Sequence, residues 1–167
     1  MGTIEVSPRS KMYSARIQCS GKPVIDLRKR VVDCGAQIDQ SAEYGISGIA
    51  TPTRFRDVTL VGVTLADLDL PSGASNQEAW GSAARYGLVA PPQETALELV
   101  CTPGVNFSRI CPIIVMSHAI QSRARASDSI LLGVISKGPH RVLVGEVGAP
   151  HWRIASNMLL VFMEKQN

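Results

Sequence analysis

Aromatic residues are scarce in this chain, with three Phe, three Tyr and two Trp among 167 residues. Its core must therefore rest on Val, Ile, Leu and Ala, and a base-stacking surface for single-stranded nucleic acid has few parts to draw on. Charged residues are also sparse, at 19% against 45% hydrophobic, which argues for a packed core and against intrinsic disorder. No apolar run is long: the longest, Ile110 to Ile120, contains Ser117 and His118 and is too short to cross a bilayer, so no membrane partner is expected. The N-terminus, Met1-Gly2-Thr3-Ile4-Glu5, lacks the basic and apolar regions of a signal peptide, and Val6 breaks the myristoylation pattern. The expectation is a cytoplasmic protein, and in that setting the sequon Asn106-Phe107-Ser108 is a chance match.

The patterns of familiar chemistry are missing as well. Cys19, Cys34, Cys101 and Cys111 form no C-x-x-C pair, and a chain long enough to bury a core does not need disulfides, so four reduced thiols are expected. His118, His140 and His151 show no H-E-x-x-H spacing, which disfavours a metal site; each flanks an expected strand end or turn, where a partly exposed histidine is the plainer reading. Cys111 and His118 fall seven positions apart on one expected strand, facing opposite ways and about 23 Å apart, so they cannot form a catalytic dyad. Cys34 could meet His151 only through a tertiary approach that nothing local announces. Gly45-Ile46-Ser47-Gly48 lacks the spacing of a phosphate-binding loop. No catalytic residue, cofactor or metal is assigned.

The length suits one domain over residues 1–167, with a basic, partly irregular segment 1–57 followed by a helix pair and antiparallel strands over 58–167. Residues 1–30 carry Arg9, Lys11, Arg16, Lys22, Arg28, Lys29 and Arg30 against Glu5 and Asp26. Such an imbalance suits a phosphate backbone, with Arg28, Lys29, Arg30, Arg54, Phe55 and Arg56 as the nucleic-acid candidates. The plainer reading is a solvated surface, with Phe55 packed inward at a strand entry, and nucleic acid ranks as an unlikely partner.

Val24–Val32 is rich in β-branched residues and reads as a strand, and 35–48 as an irregular connection. Asp57–Val63 alternates with a period of two, as a half-buried strand does. Ser75-Asn76-Gln77-Glu78 is a capping box that opens a helix over about 75–86, with Trp80 as a core anchor and Gly87 as the stop. A second helix is expected over about 92–101 after Pro91-Pro92, with Ala96, Leu97, Val100 and Cys101 inward, Glu94 and Glu98 outward, and Pro103-Gly104 ending it. Strands are expected at 111–120, 129–135, 142–147 and 157–164, as an antiparallel meander with a hairpin at Lys137-Gly138-Pro139-His140. The expected fold is α+β: a mainly antiparallel sheet of about five to seven strands with the two short helices packed on it.

Across residues 58–165 the combination Val63-x-x-Ala66-x-Leu68, Ala84-Arg85-Tyr86-Gly87-Leu88, Pro91, Ala96-Leu97-Glu98-Leu99, Pro112-Ile113, Trp152 and Leu160-Val161-Phe162 resembles small bacterial proteins of no assigned function. In those proteins a short helix and an "LEL" helix precede several strands. The resemblance implies an α+β fold and transfers no active site.

The leading expectation is a non-enzymatic binding or interaction domain that self-associates through an exposed strand or apolar sheet face. The alternative is an enzyme acting on a small molecule near His118, His140 and Trp152. His151 and Arg153 complete the ligand-binding candidates, since Trp152 between them can stack on a planar ligand, although a tryptophan capping the core is the simpler assignment.

Overall fold

The computed structural model describes residues 13–50, 54–102 and 112–166. Cys111, the sequon at Asn106, the stop at Pro103-Gly104 and the basic residues Arg9 and Lys11 lie outside them. The described residues build one mixed sheet of nine strands with helices on both faces. An α+β fold is what the patterning implies, but the sheet is larger than five to seven strands and not a meander.

Strand β1 (Tyr13–Cys19) lies antiparallel to β3 (Arg56–Val63), and β3 in turn to β9 (Leu159–Glu164). Next to β9 runs β5 (Ile113–Val115), parallel to it, then β7 (Ser129–Lys137), β8 (His140–Val147) and, parallel to β8, the two-residue β2 (Gln37–Ile38). Two short strands sit off this path: β4 (Leu88–Val89) pairs β9, and β6 (Ile120–Gln121) pairs β7. The expected hairpin forms, with Lys137 opposite His140 and Gly138 at φ 59°. The expected strand over 111–120 is instead two short strands, β5 and β6, for a reason that bears on the site below.

Both faces of the sheet are buried, which explains its near-continuous apolar strands. On one face Val58, Leu60, Ile113, Val115, Leu132, Val134, Leu159 and Val161 pack against α1 (Val24–Asp33), α2 (Gln40–Ile46) and α4 (Thr95–Val100). On the other, Val61, Val63, Ile114, Leu131, Leu160 and Phe162 pack against α3 (Asn76–Arg85) and a 3₁₀ turn at Ala66–Leu68. The two sets alternate along each strand, as the pleat requires.

Three expectations for the helical regions need correction. Val24–Asp33 is a helix, not a strand: its buried residues Leu27 and Val31 are four apart, so helical spacing outweighs β-branched content. The supposed irregular connection holds β2 and α2, the latter capped by the Asp39 carboxylate accepting from Ser41 N. Gly145 lets α2 approach the sheet, since a Cβ there would lie 2.3 Å from Ser41 O. Third, Glu94 and Glu98 do not face away, because every residue of α4 is buried and both carboxylates are enclosed with it. By contrast α3 matches its sequence signals: Ser75 and Glu78 close a full capping box, and Gly87 follows the helix at φ 74°.

Candidate functional site

Strand β5 is only three residues long, and its shortness opens the sheet. Its neighbours β9 and β7 continue past Val115, and their freed edges are taken up by different strands: β4 meets β9 at Met163 and Glu164, while β6 meets β7 at Ser129 and Ile130. Between β5 and β6, Met116 still donates to Val161 O of β9 at 2.8 Å, and Ser117–Ala119 then makes an excursion that pairs with none of the described strands. A cavity of about 700 Å³ occupies the opening, lined by Leu88, Val89 and Ala90 on the β4 side, His118, Ala119 and Ser129 on the β6 side, and Phe162 from β9. Trp80 and Ala84, one helical turn apart on α3, and Gly148 and Pro150 after β8 complete it.

Hydrogen bonds hold these walls in place. The Trp80 indole N–H donates to Met116 O at 3.2 Å, fixing the ring where the excursion begins. Gln93 Nε2 donates to His118 O at 3.3 Å, tying the same excursion to the segment before α4. Buried Asn76, first residue of α3, donates from Nδ2 to Val147 O and Ala149 O, while Gln77 N donates to Pro150 O at 2.9 Å. Gly148 N donates to Ser129 O at 2.7 Å. The volume lies within the roughly 300–1,000 Å³ of small-molecule sites, and such sites are mostly apolar with a few placed polar groups. Here the polar side chains are the His118 imidazole, the Ser129 hydroxyl and the Trp80 indole.

Of the histidines singled out in the sequence, His118 alone lines this cavity. His140 stands opposite Lys137 at the far tip of the β7–β8 hairpin, eight residues along β7 from Ser129 and so roughly 27 Å away. His151, Trp152 and Arg153 follow Pro150, just beyond the lining, and all three are exposed. Trp152, at 49% exposure, does not cap the core, and Arg153 donates to Gly73 O at 2.9 Å. Trp80, expected as a core anchor, is partly buried and forms a cavity wall. Leu88, Val89, Ala90 and Phe162 were missed, because apolar residues around an opening look like core residues until the pairing of β4 and β6 is known.

The basic candidates are largely occupied. Arg28 pairs with Glu43, Arg30 with Glu98 at 2.7 Å and Arg56 with Glu94 at 3.5 Å, while Lys29 and Arg54 are exposed. Phe55 is 60% exposed, not packed inward. The basic excess of the N-terminal third is thus spent partly on the two buried glutamates of the α4 segment.

Around those glutamates lies a second polar cluster. Glu98 Oε1 accepts from Ser20 N at 2.8 Å and from Ser20 Oγ at 2.5 Å, and Oε2 accepts from Arg30. The buried Cys19 thiol feels both carboxylates: it is pushed up to about 12 by burial and then by Glu94 and Glu98, with Arg56 and Thr95 pulling the other way. That thiol is an inert core group at neutral pH. Among the described residues no group of three or more His, Cys, Asp or Glu side chains is placed to hold a metal ion, and no helix is long and apolar enough to cross a membrane.

The chain matches no family model, no curated protein and no solved structure.

Proposed function

We propose that this protein is a non-enzymatic binding domain that takes a small, largely apolar planar molecule into the cavity between β4 and β6. The observation that carries this reading is the cavity itself, walled by Trp80, Leu88, Val89 and Phe162 and polar mainly at His118 and Ser129. Trp80 presents a ring already oriented by its bond to Met116 O, so little side-chain entropy is lost when a flat ligand stacks on it. Nucleophilic catalysis sets a nucleophile and a base within hydrogen-bond reach of each other and orients the base with a third group, whereas the side chains of that kind in the cavity lining are one imidazole and one hydroxyl.

Fluorescence titration with naphthalene- and indole-based fragments tests the reading. In a Trp152→Phe background the emission comes from Trp80 alone, and saturable quenching with a rise in melting temperature is the expected result. Ala84→Phe in the same background, which fills the cavity from α3 and adds no second tryptophan, should abolish both responses. Fragments that bind Ala84→Phe as well as the parent would place the ligand elsewhere.

A second reading, self-association, is favoured by one feature: among the described residues the outer edge of β1 pairs with no strand. The apolar faces of the sheet offer little for it, since helices cover both. Sedimentation equilibrium should show concentration-dependent mass if β1 edges pair, and a constant monomer mass would remove this reading.

A further inference from the structure

Away from the cavity, α1 and α4 end side by side. Cys34 caps the C-terminus of α1 and Cys101 caps that of α4. Their sulfurs lie 3.0 Å apart although the residues are 67 positions apart in sequence. One turn earlier on α1, Arg30 reaches across to Glu98, one turn earlier on α4, at 2.7 Å. The ion pair and the sulfur pair are therefore two parallel rungs between the same helix ends, and the first holds the second in register. Cys34 is exposed and Cys101 partly buried.

We propose that Cys34 and Cys101 form a dithiol site that reacts with small-molecule disulfides of the glutathione type and closes to an intramolecular disulfide, Cys34 being the attacking and Cys101 the resolving residue. Cys34 is the sulfur a solution disulfide can reach. Deprotonated, its Sγ attacks one sulfur of the small disulfide, breaking that S–S bond; a mixed disulfide forms on Cys34, and the departing thiolate takes up a proton. Cys101 then loses its proton and attacks Cys34 Sγ, expelling the second small thiol. Two cysteine thiols are oxidised, one small disulfide is reduced to two thiols, and the two protein protons end on those thiols.

The surroundings order these steps. The Cys101 thiol is pushed up to about 12, first by burial and then by its hydrogen bond to Cys34 and the charge of a Cys34 thiolate, while Arg30 and Arg141 oppose this. In the resting pair Cys101 thus keeps its proton, and Cys34 Sγ, 3.0 Å from the Cys101 sulfur, also donates to Val31 O at 3.2 Å. Once Cys34 is held in a mixed disulfide, its charge and its thiol hydrogen bond no longer hold the Cys101 proton; burial still does, and Arg30 and Arg141 pull the other way. The three described cysteines are free thiols, in line with the expectation of reduced cysteines, and the proposal adds that Cys34 and Cys101 act as a pair.

The full-length protein, fully reduced, is equilibrated with mixtures of reduced and oxidised glutathione, quenched in acid, alkylated and mapped by mass spectrometry. The expected product is a Cys34–Cys101 cross-link, with Cys19 and Cys111 recovered as alkylated thiols and the melting temperature raised by several degrees. Cys101→Ser should accumulate a stable glutathione adduct on Cys34, because the resolving step is lost, whereas Cys34→Ser should leave Cys101 largely unmodified. Free thiols at both positions in wild-type protein throughout the series would overturn the proposal, as would a cross-link to Cys111 or faster modification of Cys101 than of Cys34. The wild-type mapping decides the matter even if a serine variant folds poorly.

Discussion

Replacing Glu98 with alanine strips Ser20 and Arg30 of their shared acceptor in a place where water cannot substitute for it. The side chain is 1% exposed, while that of Arg30 is 44% exposed and can turn toward solvent. The loss should therefore fall below that of a fully enclosed ion pair, at about 2–3 kcal/mol in a urea melt. Glu43→Ala, which breaks the Arg28 pair on the surface, should cost less than about 1 kcal/mol in the same assay. Near-equal losses would mean that enclosure of α4 is not what gives the Glu98 pair its weight. Cys19 makes a separate prediction at alkaline pH. Its thiol holds a proton up to about 12 when folded, against an ordinary value of 9.0. Between those values the unfolded chain has released a proton that the native state keeps, so stability falls as pH rises, by up to about 1.4 kcal/mol per pH unit from this group. Below pH 9 the thiol is neutral in both states and contributes no slope. Cys19→Ala should flatten the decline of urea stability between pH 9 and 11, and an unchanged slope would show that the thiol ionises in the native protein.

Among the elements, α3 carries the cavity's aromatic wall and also has the plainest local signals. Ser75→Ala removes the acceptor for Glu78 N and should cost about 1 kcal/mol in thermal or urea unfolding. Because the same helix start is anchored to the loop after β8 through Asn76 and Gln77, fraying there should also loosen Trp80, visible as a red shift of its emission in the Trp152→Phe background; unaltered emission would mean that tertiary contacts alone hold the ring. This helix was legible because its start and stop are each written within a few residues. The α1 helix was misread for the opposite reason: Val24, Ile25, Val31 and Val32 favour strands intrinsically, and the spacing that buries Leu27 and Val31 matters only once a sheet is there to receive them. The setting of α4 was not legible at all. The arginines that let Glu94 and Glu98 go inside come from Arg56 and Arg30, 38 and 68 positions earlier, and no local pattern signals a partner at that distance. The candidate site shared this limit, since His118 drew notice as a histidine but its apolar neighbours had no reason to stand out from the core.

For the whole molecule, the last strand holds the rest together. β9 lies between β3 and β5, takes β4 along its freed edge, and sends Leu159 and Val161 to one core and Leu160 and Phe162 to the other. These four side chains are at most 1% exposed. At roughly 1.5–3 kcal/mol for each buried aliphatic or aromatic side chain, they represent about 6–12 kcal/mol, comparable with the roughly 5–15 kcal/mol that separates a folded domain of this kind from its unfolded state. Without β9 the β1–β3 pair has no hydrogen-bonded link to β5, β7 and β8, and α4, which touches β1, β7 and β8, packs over a gap in the sheet. A chain ending at Ser156 should therefore show no cooperative urea transition and should be cleaved by protease at positions spread along its length. The earlier strands must wait for β9 before either core can close, a non-local arrangement that slows folding. Addition of a peptide spanning residues 157–166 should restore a sigmoidal transition to the shortened chain. Cooperative unfolding of that chain on its own, near the full-length midpoint, would show that the two cores are held by β3 and β5 without the strand between them.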